Sequence, residues 1–309
     1  MAYLFHCPQM ANMAQKIATD LPEMSRGDIL WRDFVDGFPN LKIRNAQKLR
    51  NEAVFFLASF DRPAEIFKQL AVIYELPRLS IRSLCVILPF YPTGTMERVE
   101  KEGEIATAST LARMLSATPI SKSGPLQIVI YDIHALQERF YFDNTVIPRL
   151  ESAIPLLKER LQQLDNLTIV FPDRGAWKRF GGQFEGFPMV VCHKVRAGDK
   201  REVKIKEGDP QGRHTLIIDD LVMTGGTLQE CRKALVKAGA AAVSAYVTHG
   251  VFPDESWRHF MDAGFAHFWI TDSCPVVADR LQGEPPFEVL CLSDALVEIV
   301  REELAHPKG

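Results

Sequence analysis

The stretch HTLIIDDLVMTGGTLQEC, residues 214–231, decides the fold. Thr215 to Ile218 are apolar or β-branched and read as a short buried strand. Asp219 and Asp220 follow, then Thr224-Gly225-Gly226-Thr227, then Leu228, Cys231, Leu235 and Ala238 at helical spacing. Strand, acidic pair, small-residue loop and helix, in that order, place a Gly-rich turn at a helix N-terminus. The glycines allow positive φ and a close approach of backbone to ligand. First-turn N–H groups then converge on one spot, where the helix dipole favours an anion and the Thr hydroxyls add donors. This is the pattern of a phosphate cradle. Two carboxylates beside a phosphate repel it, so Asp219 and Asp220 fit better against sugar hydroxyls or water on Mg²⁺. An ordinary turn with an acidic cap is the competing reading, and the complete array weighs against it.

Working outward, 309 residues are enough for two domains with separate cores. Hydrophobic residues make up 47% and charged residues 24%, a globular composition. A formal net charge of −3 gives no general electrostatic case for nucleic acid or an anionic membrane. The six cysteines are scattered, with no CxxC pair or other metal spacing, and read as buried free thiols in a reducing compartment. No signal-peptide pattern and no run of ~18–20 apolar residues is visible, so a soluble, cytoplasmic protein is expected.

The spacing predicts helices over Met10–Leu21, Ala64–Leu76, Ile147–Leu164 and Ala295–Leu304, and a further one through Leu111 and Leu115. Strands are expected at Ala53–Ser59, Ser83–Leu88, Gln127–Tyr131, Leu167–Phe171, Val190–His193, Val243–Thr248, Phe268–Thr271 and Val289–Leu292, with a strand and hairpin over Ile29–Lys42. Lys194–Gly208 reads as a basic, polar loop. Strands alternating with helices argue for α/β layers around mainly parallel sheets. Strand after strand ends in Asp, His or Thr, where open α/β sheets bind ligands: Asp132, His134, Asp173, Asp219, Asp220, Thr271, Asp272.

The central stretch resembles the phosphoribosyl diphosphate (PRPP) loop of type I phosphoribosyltransferases and of ribose-phosphate diphosphokinases, which commonly carry Asp where this chain has Met223. The likeness to the diphosphokinases extends further. Asp132-Ile133-His134 with Gln137 and Phe140 resembles their Asp-Leu-His segment, and Pro172-Asp173 their metal-linked carboxylate. Lys194 and Arg196 keep the spacing of the Lys and Arg on their mobile catalytic loop. DGFPN, residues 36–40, is similar to their Phe-x-Asn segment. Phe140-Tyr141-Phe142, GAWKRF (175–180), HKVRAGDKR (193–201) and FWITDSC (268–274) are most like the plant-type class II enzymes.

The resemblance implies two phosphoribosyltransferase type I-like domains. Residues 1–150 form the nucleotide side, which the C-terminal helix 293–309 is expected to complete, and residues 151–292 carry the sugar-phosphate loop. It implies transfer of the β,γ-diphosphoryl group of Mg-ATP to C1 of ribose 5-phosphate, giving PRPP and AMP. Asp219, Asp220, Thr224, Gly225, Gly226 and Thr227 would bind ribose 5-phosphate. Phe38, Asn40 and His134 would bind nucleotide, His134 and Asp173 Mg²⁺, and Lys194 and Arg196 the transferring group. Thr93-Gly94-Thr95-Met96-Glu97 departs from the Tyr-Ala-Arg-Gln-Asp run of the phosphate-activated class. Independence of free phosphate is therefore expected. Stacking of the base on Phe38 implies a loose choice of nucleoside triphosphate, and the resemblance to class II implies a homo-oligomer smaller than a hexamer, a homotrimer. Two alternatives stay open: a phosphoribosyltransferase that consumes PRPP, and a non-catalytic regulatory subunit.

Overall fold

The computed structural model describes residues 1–162, 164–197 and 200–305, with backbone alone at 195–197 and 200–201. The chain divides into two units, Met1–Glu151 together with Leu292 onward, and Ser152–Cys291.

The first unit runs β1 (Ala2–His6), α1 (Ala11–Asp20), β2 (Met24–Arg26), β3 (Ile29–Asp33), β4 (Pro39–Ile43), β5 (Ala53–Leu57), α2 (Pro63–Arg78), β6 (Ser83–Ile87), α3 (Thr107–Ser116), β7 (Leu126–Tyr131) and β8 (Val146–Glu151). Six of these strands form a parallel sheet in the order β2-β1-β5-β6-β7-β8, and β3 and β4 pair separately as an antiparallel hairpin. β5 is buried at every position, which is why AVFFL reads as a continuous apolar run without alternation.

The second unit runs α4 (Ile154–Leu161), β9 (Leu167–Phe171), α5 (Arg174–Phe180), β10 (Met189–Ala197), β11 (Lys200–Glu207), β12 (His214–Val222), α6 (Gly226–Lys237), β13 (Ala242–Gly250), α7 (Arg258–Met261), β14 (Phe268–Thr271), α8 (Pro275–Leu281) and β15 (Phe287–Leu290). Its sheet has the order β11-β10-β9-β12-β13-β14-β15, parallel except for the β10–β11 pair. From β9 the chain goes next to β10 on one side and later to β12 on the other. The gap between the ends of β9 and β12 is thus the switch point where such sheets bind ligands. One face of the sheet buries Ile217, Val247 and the α6 residues Leu228, Cys231 and Leu235; the other buries Leu216, Ile218, Tyr246 and Trp269.

The chain returns to the first unit as α9 (Ser293–Ala305), which packs on α1 and buries Leu296, Val297, Ile299 and Val300. Arg149 on β8 holds its far end through Glu302 at 2.7 Å and Glu303 at 3.3 Å.

Two expectations are corrected. Residues 147–164 are not one helix: β8 pairs with β7 as the edge strand of the first sheet, and α4 starts only at Ile154. Pro148 is tolerated because an edge strand leaves one row of donors unpaired, and Pro155 marks the first turn of α4. Residues 194–208 are not a loop for most of their length: β10 and β11 form an antiparallel ladder from Val191↔Glu207 to Ala197↔Lys200.

Candidate active site

The second unit gathers its site residues at the carboxyl ends of β9, β10 and β12. β12 extends past Ile218 to Val222, so Asp219 and Asp220 stand inside the strand rather than after it. Successive side chains of a strand point to opposite faces, and Asp220 is 7% exposed while Asp219 is half-buried. Burial first, then the charges of Asp220 and Asp173, push the Asp219 carboxyl well above the usual carboxylate range. Burial and the neighbouring carboxylates therefore favour the protonated, neutral form of Asp219 at the switch point.

Asp173 follows β9 and caps α5, with Oδ1 accepting the Ala176 N–H at 3.1 Å. Its Oδ2 pairs with Lys194 Nζ at 3.0 Å. Burial alone would raise its pKa; the Ala176 N–H and Lys194 outweigh that and hold it below the ordinary value. The structure thus brings together Lys194 and Asp173, two residues assigned separately from the sequence. Arg196 has its backbone in β10, and its side chain lies outside the described residues.

Thr224–Thr227 form the turn into α6. Gly225 is the N-cap, at φ +80°. A Cβ there would overlap the Phe260 ring, so glycine is required twice, by conformation and by space. Having no side chain, this cap leaves the first-turn N–H groups of α6 for an anion. Thr224 is exposed and Thr227 half-buried beside them.

Sequence reasoning missed the segment beneath this turn. Val251 N–H donates to Val222 O at 3.1 Å, and Ser256 Oγ donates to Met223 O at 3.0 Å. Phe260 packs edge-on to Phe268 at 5.0 Å within a cluster that includes Phe252, Phe265 and Phe287. Phe252, Asp254 and Glu255 sit at φ +43°, +52° and +56°, each at a cost of roughly 1 kcal/mol or more. The visible signal was the spacing of Phe252, Ser256 and Phe260, each four residues from the last, directly after the Thr248-His249-Gly250 strand end. Below the site, Cys192 of β10 and Cys231 of α6 lie 3.8 Å apart, sulfur to sulfur, and all six cysteines are free thiols.

In the first unit His134 is exposed past the end of β7, and Gly94 lies against it: a Cβ added at Gly94 would come within 3.1 Å of His134 Cβ. Glu138 accepts the Ala135 N–H at 2.9 Å and so braces the turn that carries His134. Phe38 sits at the β3–β4 tip with 66% of its surface exposed, free to stack, its N–H bonded to Asp36 at 3.1 Å. Asn40 pairs with Arg32 in β4. Phe38, Asn40 and His134 belong to the first unit, and Asp173 and the cradle to the second.

Among the described residues no three of His, Cys, Asp and Glu are grouped to hold a metal ion. Mg²⁺ does not need such a cage: one or two carboxylates, several waters and substrate phosphates suffice. Asp173, whose carboxyl is held below its ordinary pKa, suits a divalent cation on charge.

Two parallel-sheet units with a glycine turn and paired carboxylates at a switch point define a phosphoribosyltransferase-type α/β protein. Residues 131–270 match the family model described as the phosphoribosyl transferase domain, and residues 2–118 that of the N-terminal domain of ribose phosphate pyrophosphokinase. The chain is 55% identical over 308 residues to ribose-phosphate pyrophosphokinase 3, chloroplastic, of Oryza sativa subsp. japonica, covering 96% of this chain and 75% of the relative. It is 56% identical over 303 residues to ribose-phosphate pyrophosphokinase 3, mitochondrial, of Spinacia oleracea, covering 95% and 75%. The phosphoribosylpyrophosphate synthetase of Mycobacterium smegmatis superposes with a TM-score of 0.85 at 25% identity over 99% of both chains. The chain belongs to the ribose-phosphate pyrophosphokinase family. A lone phosphoribosyltransferase domain leaves the match over 2–118 unexplained. Among the described residues no helix is long and apolar enough to cross a membrane.

Proposed function

We infer that the protein is a ribose-phosphate diphosphokinase, moving the β,γ-diphosphoryl group of ATP to C1 of ribose 5-phosphate and releasing AMP. The observation that carries this reading is the grouping, in one unit, of the glycine turn at α6, the Asp219–Asp220 pair and the Lys194–Asp173 ion pair. The turn offers N–H donors and the Thr224 and Thr227 hydroxyls to the 5-phosphate. Asp219 and Asp220 accept hydrogen bonds from ribose hydroxyls, which fixes the C1 hydroxyl for attack on the β-phosphorus. Phosphoryl-type transfer depends mainly on positioning and on stabilising charge over the transferred oxygens, so no general base is invoked. Lys194 and Arg196 supply positive charge to those oxygens. Asp173 would hold Mg²⁺, partly through water, and the ion supplies neutralisation of diphosphate charge. On the nucleotide side, Phe38 stacks on the base, Asn40 bonds its edge and His134 approaches the phosphates. Stacking is tolerant because every base has a π-face. We therefore propose activity with several nucleoside triphosphates, no requirement for inorganic phosphate, and a homotrimer by likeness to the plant-type class.

Pure protein with ribose 5-phosphate, ATP and Mg²⁺ tests the reading by phosphorus NMR. PRPP and AMP are the expected products. ADP in place of AMP, or no turnover, overturns it. Light scattering tests the trimer.

A further inference from the structure

The segment from Val251 to Phe260 has no role in the chemistry above, yet its backbone is strained at three positions. Phe252, Asp254 and Glu255 hold positive φ without glycine. Such conformations persist only where surrounding contacts over-determine them. Here Phe252 is locked among Phe260, Phe268 and Phe287, with ring centroids 5.6, 6.1 and 5.6 Å away. The resulting bend folds Ser256 back under the phosphate cradle, where it is 6% exposed.

Two consecutive carbonyls are held from this segment. Val222 O accepts from Val251 N at 3.1 Å and from Phe252 N at 3.4 Å; Met223 O accepts from Ser256 Oγ at 3.0 Å. The second contact matters for ligand binding because the Met223 carbonyl and the Thr224 N–H belong to one planar trans peptide and point opposite ways. A carbonyl drawn to Ser256 turns the Thr224 N–H the opposite way, away from the segment. Phe260, filling the space under Gly225, prevents the turn from sinking.

We propose that Ser256 is a positioning residue for sugar-phosphate binding: its hydroxyl sets the tilt of the 223–224 peptide and so aims a cradle N–H at the 5-phosphate. This rests on the assignment of residues 224–227 to that phosphate.

The test is steady-state kinetics on the full-length protein with ribose 5-phosphate, ATP and Mg²⁺. Ser256→Ala removes only the hydroxyl, and Ser256→Thr keeps it. The loss of one neutral hydrogen bond corresponds to about a three- to ten-fold rise in KM for ribose 5-phosphate. In Ser256→Ala, kcat and KM for ATP should stay within about two-fold, the signature of lost uniform binding. Ser256→Thr should restore the sugar-phosphate KM. A lowered melting temperature with unchanged KM would make the bond merely structural and overturn the proposal, as would an equal loss in kcat and both KM values. Thr227→Val, run alongside, separates the two levels. A raised KM there with an unmoved one in Ser256→Ala overturns the positioning role alone; unmoved values in both overturn the cradle assignment itself.

Discussion

Gly225→Ala is the sharpest physical test of the cradle. Gly225 sits at φ +80°, and its added Cβ would overlap the Phe260 ring. The left-handed conformation costs a residue with a Cβ roughly 1–2 kcal/mol. Forcing a methyl into filled core space costs roughly 1–3 kcal/mol more. The sum is about 2–5 kcal/mol, and at roughly 2–4 °C per kcal/mol for a domain of ordinary size the melting temperature falls by roughly 4–20 °C. The two contributions are separable because only the second depends on Phe260. Urea unfolding followed by circular dichroism should be run on Gly225→Ala, Phe260→Leu and the double variant. Leucine withdraws the ring edge, so Gly225→Ala should cost at least about 1 kcal/mol less in that background than in wild type. A cost below about 0.5 kcal/mol in wild type, or the same cost in both backgrounds, would refute the claim that the turn is pressed against Phe260.

Lys194→Ala breaks a pair whose partners are both well exposed, so stability should change by less than about 1 kcal/mol. Turnover should nonetheless fall by ~10²–10³, because a preorganised charge is lost from the transition state; near-normal kcat would make Lys194 a surface residue. Thr227→Val removes a donor to a charged group, about 1.5–3 kcal/mol, and should raise KM for ribose 5-phosphate with little change for ATP. Asp219 has its folded pKa raised, so between the ordinary carboxylate range and that raised value the folded chain holds a proton the unfolded chain has released. Stability from this group is therefore present at acid pH and is lost as pH rises through that window. Asp219→Asn should be more stable than wild type near neutrality, with the gain shrinking toward about pH 4; a gap in urea midpoint that does not vary with pH would contradict it.

The strand–acid–glycine–helix order at residues 214–231 was legible because each part has its own local cause: β-branched run, φ > 0 at Gly225, helical spacing through Leu235. The extension of β12 through Asp219 and Asp220 was not, since carboxylates in a strand interior contradict propensity and the strand is held there by the pairing of Asp219, Leu221 and Val222 with β13. Ile147 and Leu150 carry a helical spacing by coincidence, and pairing with β7 overrode it. In β11 the signal was present: Val203 and Ile205 alternate with charged residues at period two, obscured by the density of lysine and arginine. The meeting of Lys194 with Asp173 depends on β10 lying beside β9, a fact of sheet order that no local pattern encodes.

The return of α9 to the first unit bears on biosynthesis. Residues 1–151 leave the ribosome well before the helix that covers α1 and meets Arg149, with all of Ser152–Cys291 made in between. The second unit, contiguous in sequence, can complete its core while the first still lacks Leu296, Val297, Ile299 and Val300. The unit made first is therefore the last to be finished, and its uncovered α1 face during synthesis is where a chaperone would bind or a truncated product would aggregate.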